Sequence, residues 1–201
     1  MIGNNIQNIA TDIATDIAII GGTFDPIHNG HLQVISEVAK KFEKVIVIPT
    51  GNPWLKDHTP IASGEQRVAM TQIAVNSLAL GEKVQVSAIE VKRPGPSYAI
   101  DTVNELSKIY PGSKFTLVLG SDAASNLSKW HRSDELQKLV NVLVVKRAGV
   151  QPSEFAEIEV SAPDLSSTEI RDKVANSKDI SNLVNPTVAA FIKEHHLYGS
   201  K

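Results

Sequence analysis

The 201-residue chain contains no cysteine, which excludes a disulfide framework, cysteine-ligated zinc and thiol catalysis. It has no excess of either charge, since 20 Lys plus Arg stand against 22 Asp plus Glu for a formal net charge of -2. Such a balance exerts no general attraction on a polyanion, and no basic stripe supplies a local one, so nucleic acid is not an expected partner. Long apolar runs are also missing: each is broken by Gly, Pro or charge well short of the ~20 residues of a spanning helix, so no membrane partner is expected. The start of the chain lacks a basic segment and carries Asp12 and Asp16, unlike a secretory signal, which makes the cytoplasm the expected location.

What is present is an ordinary globular composition, 42% hydrophobic and 21% charged. A chain of this length buries a core without covalent or metal staples. Ile-Ala-Thr-Asp occurs twice, at Ile9 to Asp12 and Ile13 to Asp16, but two copies of four residues do not make a repeat fold. Residues 1–15 are expected to be a mobile N-terminal extension. With no Pro/Gly/Ser-rich linker beyond them, residues 16–201 are expected to form one domain with a helical C-terminal part.

Short β-branched runs alternate with stretches of helical period, the pattern of a parallel sheet covered by helices. Ile17–Ile20, Val45–Ile48, Val84–Val91, Phe115–Leu119 and Val142–Val145 are mostly continuous apolar runs, as strands buried on both faces should be. A sixth strand fits Ile158–Val160. Leu32, Ile35, Val38, Ala39 and Phe42 share one face of a helix, as do Val68, Met70, Ile73 and Ala74, where Ser63 and Gln66 form a capping box. Further helices fit 97–109, 134–139, 167–176 and 186–195. The predicted fold is therefore α/β, a doubly wound parallel sheet of Rossmann-like type, with its ligand crevice beyond the carboxyl ends of the strands.

The first strand runs into Gly21-Gly22-Thr23-Phe24-Asp25-Pro26-Ile27-His28-Asn29-Gly30-His31-Leu32. Gly21 and Gly22 permit close approach of a ligand to the backbone, and the helix start aims amide groups and a positive dipole end at the crevice. Neither the P-loop pattern nor G-x-G-x-x-G is present. His28 and His31, three apart in a first helical turn, can face one anion, and Gly30 between them leaves room for the ligand. A second helix start lies at Leu165-Ser166-Ser167-Thr168-Glu169-Ile170-Arg171. Ser166 with Glu169 is a plain capping box, whereas a guanidinium beside hydroxyls and amides also suits a polyphosphate.

The first of these segments resembles the signature of the nucleotidyltransferase superfamily with the H-x-G-H motif. With His at position 28 rather than the Thr usual in phosphopantetheine adenylyltransferase, it is similar to the nicotinate-nucleotide adenylyltransferases of bacteria. The second segment resembles that family's I-S-S-T-x-I-R. Arg93 to Thr102 resembles R-x-G-x-S-Y-T-I-D-T, with Ala99 in place of Thr, and Asn52 to Lys56 matches N-P-x-x-K. The resemblance spans residues 17–199.

It implies adenylyl transfer from ATP to nicotinate mononucleotide, giving nicotinate adenine dinucleotide and pyrophosphate by direct in-line attack. His28, His31 and Arg171 are the implied catalytic residues. Gly21, Gly22, Thr23, Phe24, Gly30, Gly120, Asp122, Arg147, Ser167 and Thr168 are implied on the ATP side, and Asp25, Lys56, Tyr98, Ala99 and Trp130 on the mononucleotide side. The amide of Ala99 would receive the nicotinate carboxylate and Trp130 would stack on the pyridine ring. Mg²⁺ is the implied cofactor, held by substrate phosphates and not by protein side chains. Another phosphate-bearing acceptor, nicotinamide mononucleotide or phosphopantetheine, and a non-catalytic nucleotide-binding module remain the alternatives. The choice between monomer and homo-oligomer stays open.

Overall fold

The structure, a computed structural model, describes residues 15–53, 59–146 and 154–200. The expected extension, apart from Thr15, and the candidates Lys56 and Arg147 lie outside the described residues. Six strands form one sheet, β1 (Asp16–Gly22), β2 (Lys44–Pro49), β3 (Val84–Val86), β4 (Lys114–Gly120), β5 (Val140–Lys146) and β6 (Ala156–Glu159). Their order is β3-β2-β1-β4-β5-β6 and every pairing is parallel, as the alternating pattern of runs predicts.

Successive residues of a strand point to opposite faces, and β1 divides its side chains accordingly. Ala18 and Ile20 join one buried cluster with Ile35, Val38, Met70 and Ile170, while Ile17 and Ile19 join another with Ile100, Leu106, Leu117 and Leu136. The helices of these two layers are α1 (Asn29–Ala39), α2 (Gly64–Asn76), α3 (Ile89–Lys92), α4 (Ala99–Ile109), α5 (Ser121–Ser125), α6 (Ser133–Leu139), α7 (Ser167–Ala175) and α8 (Pro186–Glu194). The capping box at α2 is complete: Ser63 accepts from the Gln66 amide at 3.2 Å and Gln66 accepts from the Ser63 amide at 2.9 Å. None of the described helices is long and apolar enough to cross a membrane.

One strand is shorter than its sequence predicts. The apolar run from Val84 to Val91 leaves the sheet after Val86, and its second half winds into α3. β3 is an edge strand paired only to β2 through three residues. Ser87 then turns the chain, its hydroxyl accepting from the Ile89 amide at 3.4 Å, which favours a helical turn over further extension.

Chain order along the sheet reverses at β1: β2 and β3 build outward on one side, β4 to β6 on the other. The carboxyl ends of β1 and β4 thus diverge into connections on opposite faces, the place where an open α/β sheet has its crevice.

Candidate active site

A cleft of about 730 Å³ opens at this point, within the range of small-molecule sites. Its floor is apolar, from Ile19, Ile48, Val103, Leu117 and Leu119, and its rim carries Thr23, Thr50, Glu90, Ser97, Asp122 and Lys129. Of the predicted residues, Gly21, Gly22, Thr23, Ala99, Gly120, Asp122 and Trp130 line it. Helix α4, eleven residues long, begins at Ala99 without a side-chain cap, and Ala99 lines the cleft. Tyr98, just before it, stacks on His131 with ring centroids 4.1 Å apart.

The histidines stand beside this cleft, at the start of α1. His28 is its N-cap, with extended backbone, and is buried at 5% exposure. Its Nδ1 accepts from the His31 amide and His31 Nδ1 accepts from the His28 amide, both at 3.3 Å. A capping box usually needs Ser or Thr with Glu or Gln; here two imidazoles make it, stacked at 3.6 Å and 22°. With each Nδ1 accepting, the hydrogen-bond network assigns the proton of the neutral ring to Nε2, which makes Nε2 the N–H donor of each ring.

The second predicted helix start closes on the same place. Ser167 Oγ donates to the Pro26 carbonyl at 2.9 Å, Arg171 Nη1 donates to the Asp25 carbonyl at 2.8 Å, and Arg171 Nη2 donates to Thr168 Oγ1 at 3.1 Å. Ser166 caps α7 by accepting from the Glu169 amide at 3.1 Å. Two segments some 140 positions apart in sequence therefore gather two imidazoles, a guanidinium and hydroxyls around the start of α1.

Four predicted residues also have close partners within the protein. A Cβ on Gly22 would stand 2.7 Å from the Phe24 ring, and one on Gly30 would stand 3.1 Å from both the Pro163 carbonyl oxygen and His28 Nδ1. The space beside Gly30 is thus filled by the protein itself. Phe24 is buried at positive φ and sets its ring edge-on to His31, centroids 5.0 Å apart, so it backs the imidazole from the core. Asp25, also buried, accepts from the Ile61 and Ala62 amides at 2.8 and 3.1 Å and from the Tyr198 hydroxyl at 2.7 Å. Its carboxylate is engaged inside the protein, because a buried charge must be hydrogen-bonded.

Three further residues shape the site without having stood out in sequence. Arg67 is almost wholly buried, and its guanidinium donates to the carbonyls of Thr23 at 2.8 Å, Gly51 at 3.1 Å and Ala62 at 3.3 Å. Burial lowers its pKa, which the charge of Asp25 partly opposes. Its place on the face of Met70 and Ala74 is the signal that finds it, since an Arg on an apolar face needs internal acceptors. Glu90 interrupts an apolar run; burial raises its pKa, against hydrogen bonds from Thr102 and Ser97 and the charge of Arg93. Nothing local marks Tyr198, whose phenol is raised by burial and by its hydrogen bond to Asp25.

A family model described as cytidylyltransferase-like matches residues 19–173. The chain is 37% identical over 191 residues to a protein of Saccharopolyspora erythraea named "Probable nicotinate-nucleotide adenylyltransferase", covering 90% of this chain and 89% of that one. A protein of the same name from Oceanobacillus iheyensis is 37% identical, with 92% and 97% covered. In fold, the chain is similar to Plasmodium falciparum nicotinic acid mononucleotide adenylyltransferase solved in complex with NaAD. That likeness has a TM-score of 0.76 at 21% identity and covers 93% of this chain and 98% of the other.

Proposed function

The chain belongs to the cytidylyltransferase-like family, and from that premise we propose that it transfers the adenylyl group of ATP to nicotinate mononucleotide. The products are nicotinate adenine dinucleotide, a precursor in NAD synthesis, and pyrophosphate. The observation that carries this reading is the gathering of His28, His31, Ser167, Thr168 and Arg171 at the start of α1, beside an open cleft at the β1/β4 switch point.

Each group has a task that follows from its geometry. The mononucleotide phosphate is an anion at neutral pH and needs no base to attack the α-phosphorus in line, so catalysis is positioning and charge stabilisation. The Nε2–H groups of His28 and His31 donate to α-phosphate oxygens as negative charge moves onto them. Arg171, with Ser167 and Thr168, receives the departing pyrophosphate. ATP is taken with Mg²⁺, which its phosphates largely hold; among the described residues no group of three or more His, Cys, Asp or Glu is placed to bind a metal ion. On the acceptor side Trp130 offers a ring face to the pyridine and the start of α4 receives the carboxylate, its Ala99 contributing backbone only.

The test is pyrophosphate release from ATP and Mg²⁺ with nicotinate or nicotinamide mononucleotide. Release with preference for the acid is the expected outcome. Release with the amide alone would remove the carboxylate role of α4, and release with neither would overturn the acceptor.

A further inference from the structure

We propose that Arg67 is the positioning residue for His31, acting through the carbonyl of Thr23 and the ring of Phe24 without touching the reacting atoms. The inference rests on the reading above, in which His31 donates to the α-phosphate. Arg67 belongs to α2 and is 1% exposed, yet all three nitrogens of its guanidinium have carbonyl acceptors. Nη1 donates to Thr23 at 2.8 Å, Nη2 to Gly51 at 3.1 Å and Nε to Ala62 at 3.3 Å.

The place of those carbonyls explains why a guanidinium holds them. The parallel ladder of β1 and β2 ends at Gly22 opposite Pro49, and its last bond runs from the Thr50 amide to the Gly22 carbonyl at 2.8 Å. Beyond it Thr23 and Gly51 each present a carbonyl, and two acceptors cannot bond one another. A planar fork that donates to both supplies the missing rung. The third donor ties that rung to Ala62, whose amide donates to Asp25 Oδ1 at 3.1 Å. On the far side of the same turn, Arg171 holds the Asp25 carbonyl and Ser167 the Pro26 carbonyl. The segment 23–26 is therefore gripped at both ends, with Phe24 between them.

Phe24 needs such a grip. Its φ of 49° lies in the left-handed region, which a residue with a Cβ keeps only where the surroundings over-determine it. In that conformation its ring lies against Gly22 and stands at 87° to the His31 imidazole, with 5.0 Å between centroids. The cap bond to His31 Nδ1 is long, at 3.3 Å, so the plane of the ring depends on its packing between His28 and Phe24. Releasing the Thr23 carbonyl frees Phe24 from the sheet end, and His31 loses the wall behind it.

The experiment compares wild type, Arg67→Lys, Phe24→Leu and the double variant. Lysine keeps a positive charge, but a single ammonium has no rigid fork to span the two carbonyls. The kcat for pyrophosphate release is read with ATP and nicotinate mononucleotide saturating and per folded enzyme by circular dichroism, so neither lost stability nor a shift of Gly51 that acts on KM enters it. Misplacing His31 predicts a fall of about ten- to a hundredfold in each single variant. Because both act on one path, the double variant is expected within about threefold of the slower single, whereas independent effects would multiply. Nitrogen-15 spectra of the free protein at alkaline pH, with His31 assigned by its loss in His31→Ala, read the ring directly. Wild type is expected to show two widely separated His31 signals, as one tautomer does, and Arg67→Lys to draw them together by tautomer exchange. A merely structural role would lower the melting temperature and leave kcat and the imidazole signals as they are. Wild-type kcat in Arg67→Lys, losses that multiply, or an unchanged His31 spectrum each overturn the proposal. If Arg67→Lys does not fold, Phe24→Leu decides by kcat and the His31 spectrum, and wild-type values there overturn it as well. Wild type without pyrophosphate release refutes the proposed reaction, and the imidazole comparison, which needs no substrate, still decides the role of Arg67.

Discussion

Tyr198→Phe deletes one oxygen atom from a buried side chain, the hydroxyl that donates to Asp25 Oδ1 at 2.7 Å. No cavity results, so the cost is that of the hydrogen bond. A bond to a charged acceptor contributes about 1.5–3 kcal/mol. Asp25 keeps its two amide donors from Ile61 and Ala62, which places the loss in the lower part of that range, about 1.5–2 kcal/mol. For a chain of this length, that lowers the melting temperature by roughly 3–8 °C. Urea unfolding followed by circular dichroism at neutral pH measures it directly. The pH dependence supplies a second check. In the folded protein, burial and then the bond to Asp25 hold the phenol protonated well above its ordinary value of 10.0. Once the pH passes that value the unfolded chain loses this proton and the folded chain keeps it, so wild-type stability falls. The phenylalanine variant has no such titration, and its deficit shrinks in the same window. A deficit under about 0.5 kcal/mol at neutral pH, or one that stays constant above the phenol's ordinary value, refutes the assignment.

His31→Ala is expected to reduce turnover by roughly two to three orders of magnitude, with a stability loss of no more than about 2 kcal/mol from the broken cap; near-normal kcat would exclude His31 from the chemistry. Arg171→Lys keeps the charge but loses the fork that reaches both Asp25 and Thr168, and kcat/KM for ATP should fall about tenfold or more. Kinetics unchanged from wild type would remove Arg171 from the leaving-group site. Gly30→Ala should gain about 1 kcal/mol from helix propensity alone. The crowding against Pro163 and His28 instead predicts no gain and lower activity, so a more stable, fully active variant would contradict it. For Glu90, whose carboxyl burial holds above its ordinary value, wild-type stability relative to Glu90→Gln should decline as pH rises above 4.5, because the folded chain then binds more protons than the unfolded one. A difference that rises or stays flat across that range would refute the shift.

What sequence reveals here depends on the distance over which a constraint acts. Strands β2, β4 and β5 are apolar on both faces because helices cover both, and such runs are visible without any fold. The starts of α2 and α7 are equally local: Ser63 and Gln66 bond reciprocally, whereas Ser166 accepts from the Glu169 amide without the return bond that a full capping box would have. The end of β3 was not legible: Val84–Val91 is mostly apolar, and only its position at the sheet edge, where one neighbour ceases to pair, allows Ser87 to turn it into a helix. Among the site residues, the histidine pair and the Arg171 segment carry their own pattern, but their meeting depends on contacts spanning about 140 positions. Arg67 looks like one more helix charge until the carbonyls of Thr23 and Gly51 are brought to it. Asp25 reads as part of a ligand loop until Tyr198, 173 positions away, reaches its carboxylate.

The mutual cap of His28 and His31 makes the motif portable. In a Ser-His-Asp triad the imidazole is oriented by a carboxylate from another part of the chain, so the arrangement must be assembled by the whole fold. Here the orientation and tautomer of both rings are written into four consecutive residues, by two amides that any helix start would otherwise leave unsatisfied. What such a unit requires of its host is modest: a strand that ends in a tight turn, a glycine where the third position meets a neighbouring carbonyl, and an aromatic ring behind the second imidazole. A strand-to-helix junction on an unrelated sheet that meets those three conditions should display the same pair of Nε2–H donors, which makes the segment from Gly21 to Leu32 a module for grafting an oriented imidazole pair.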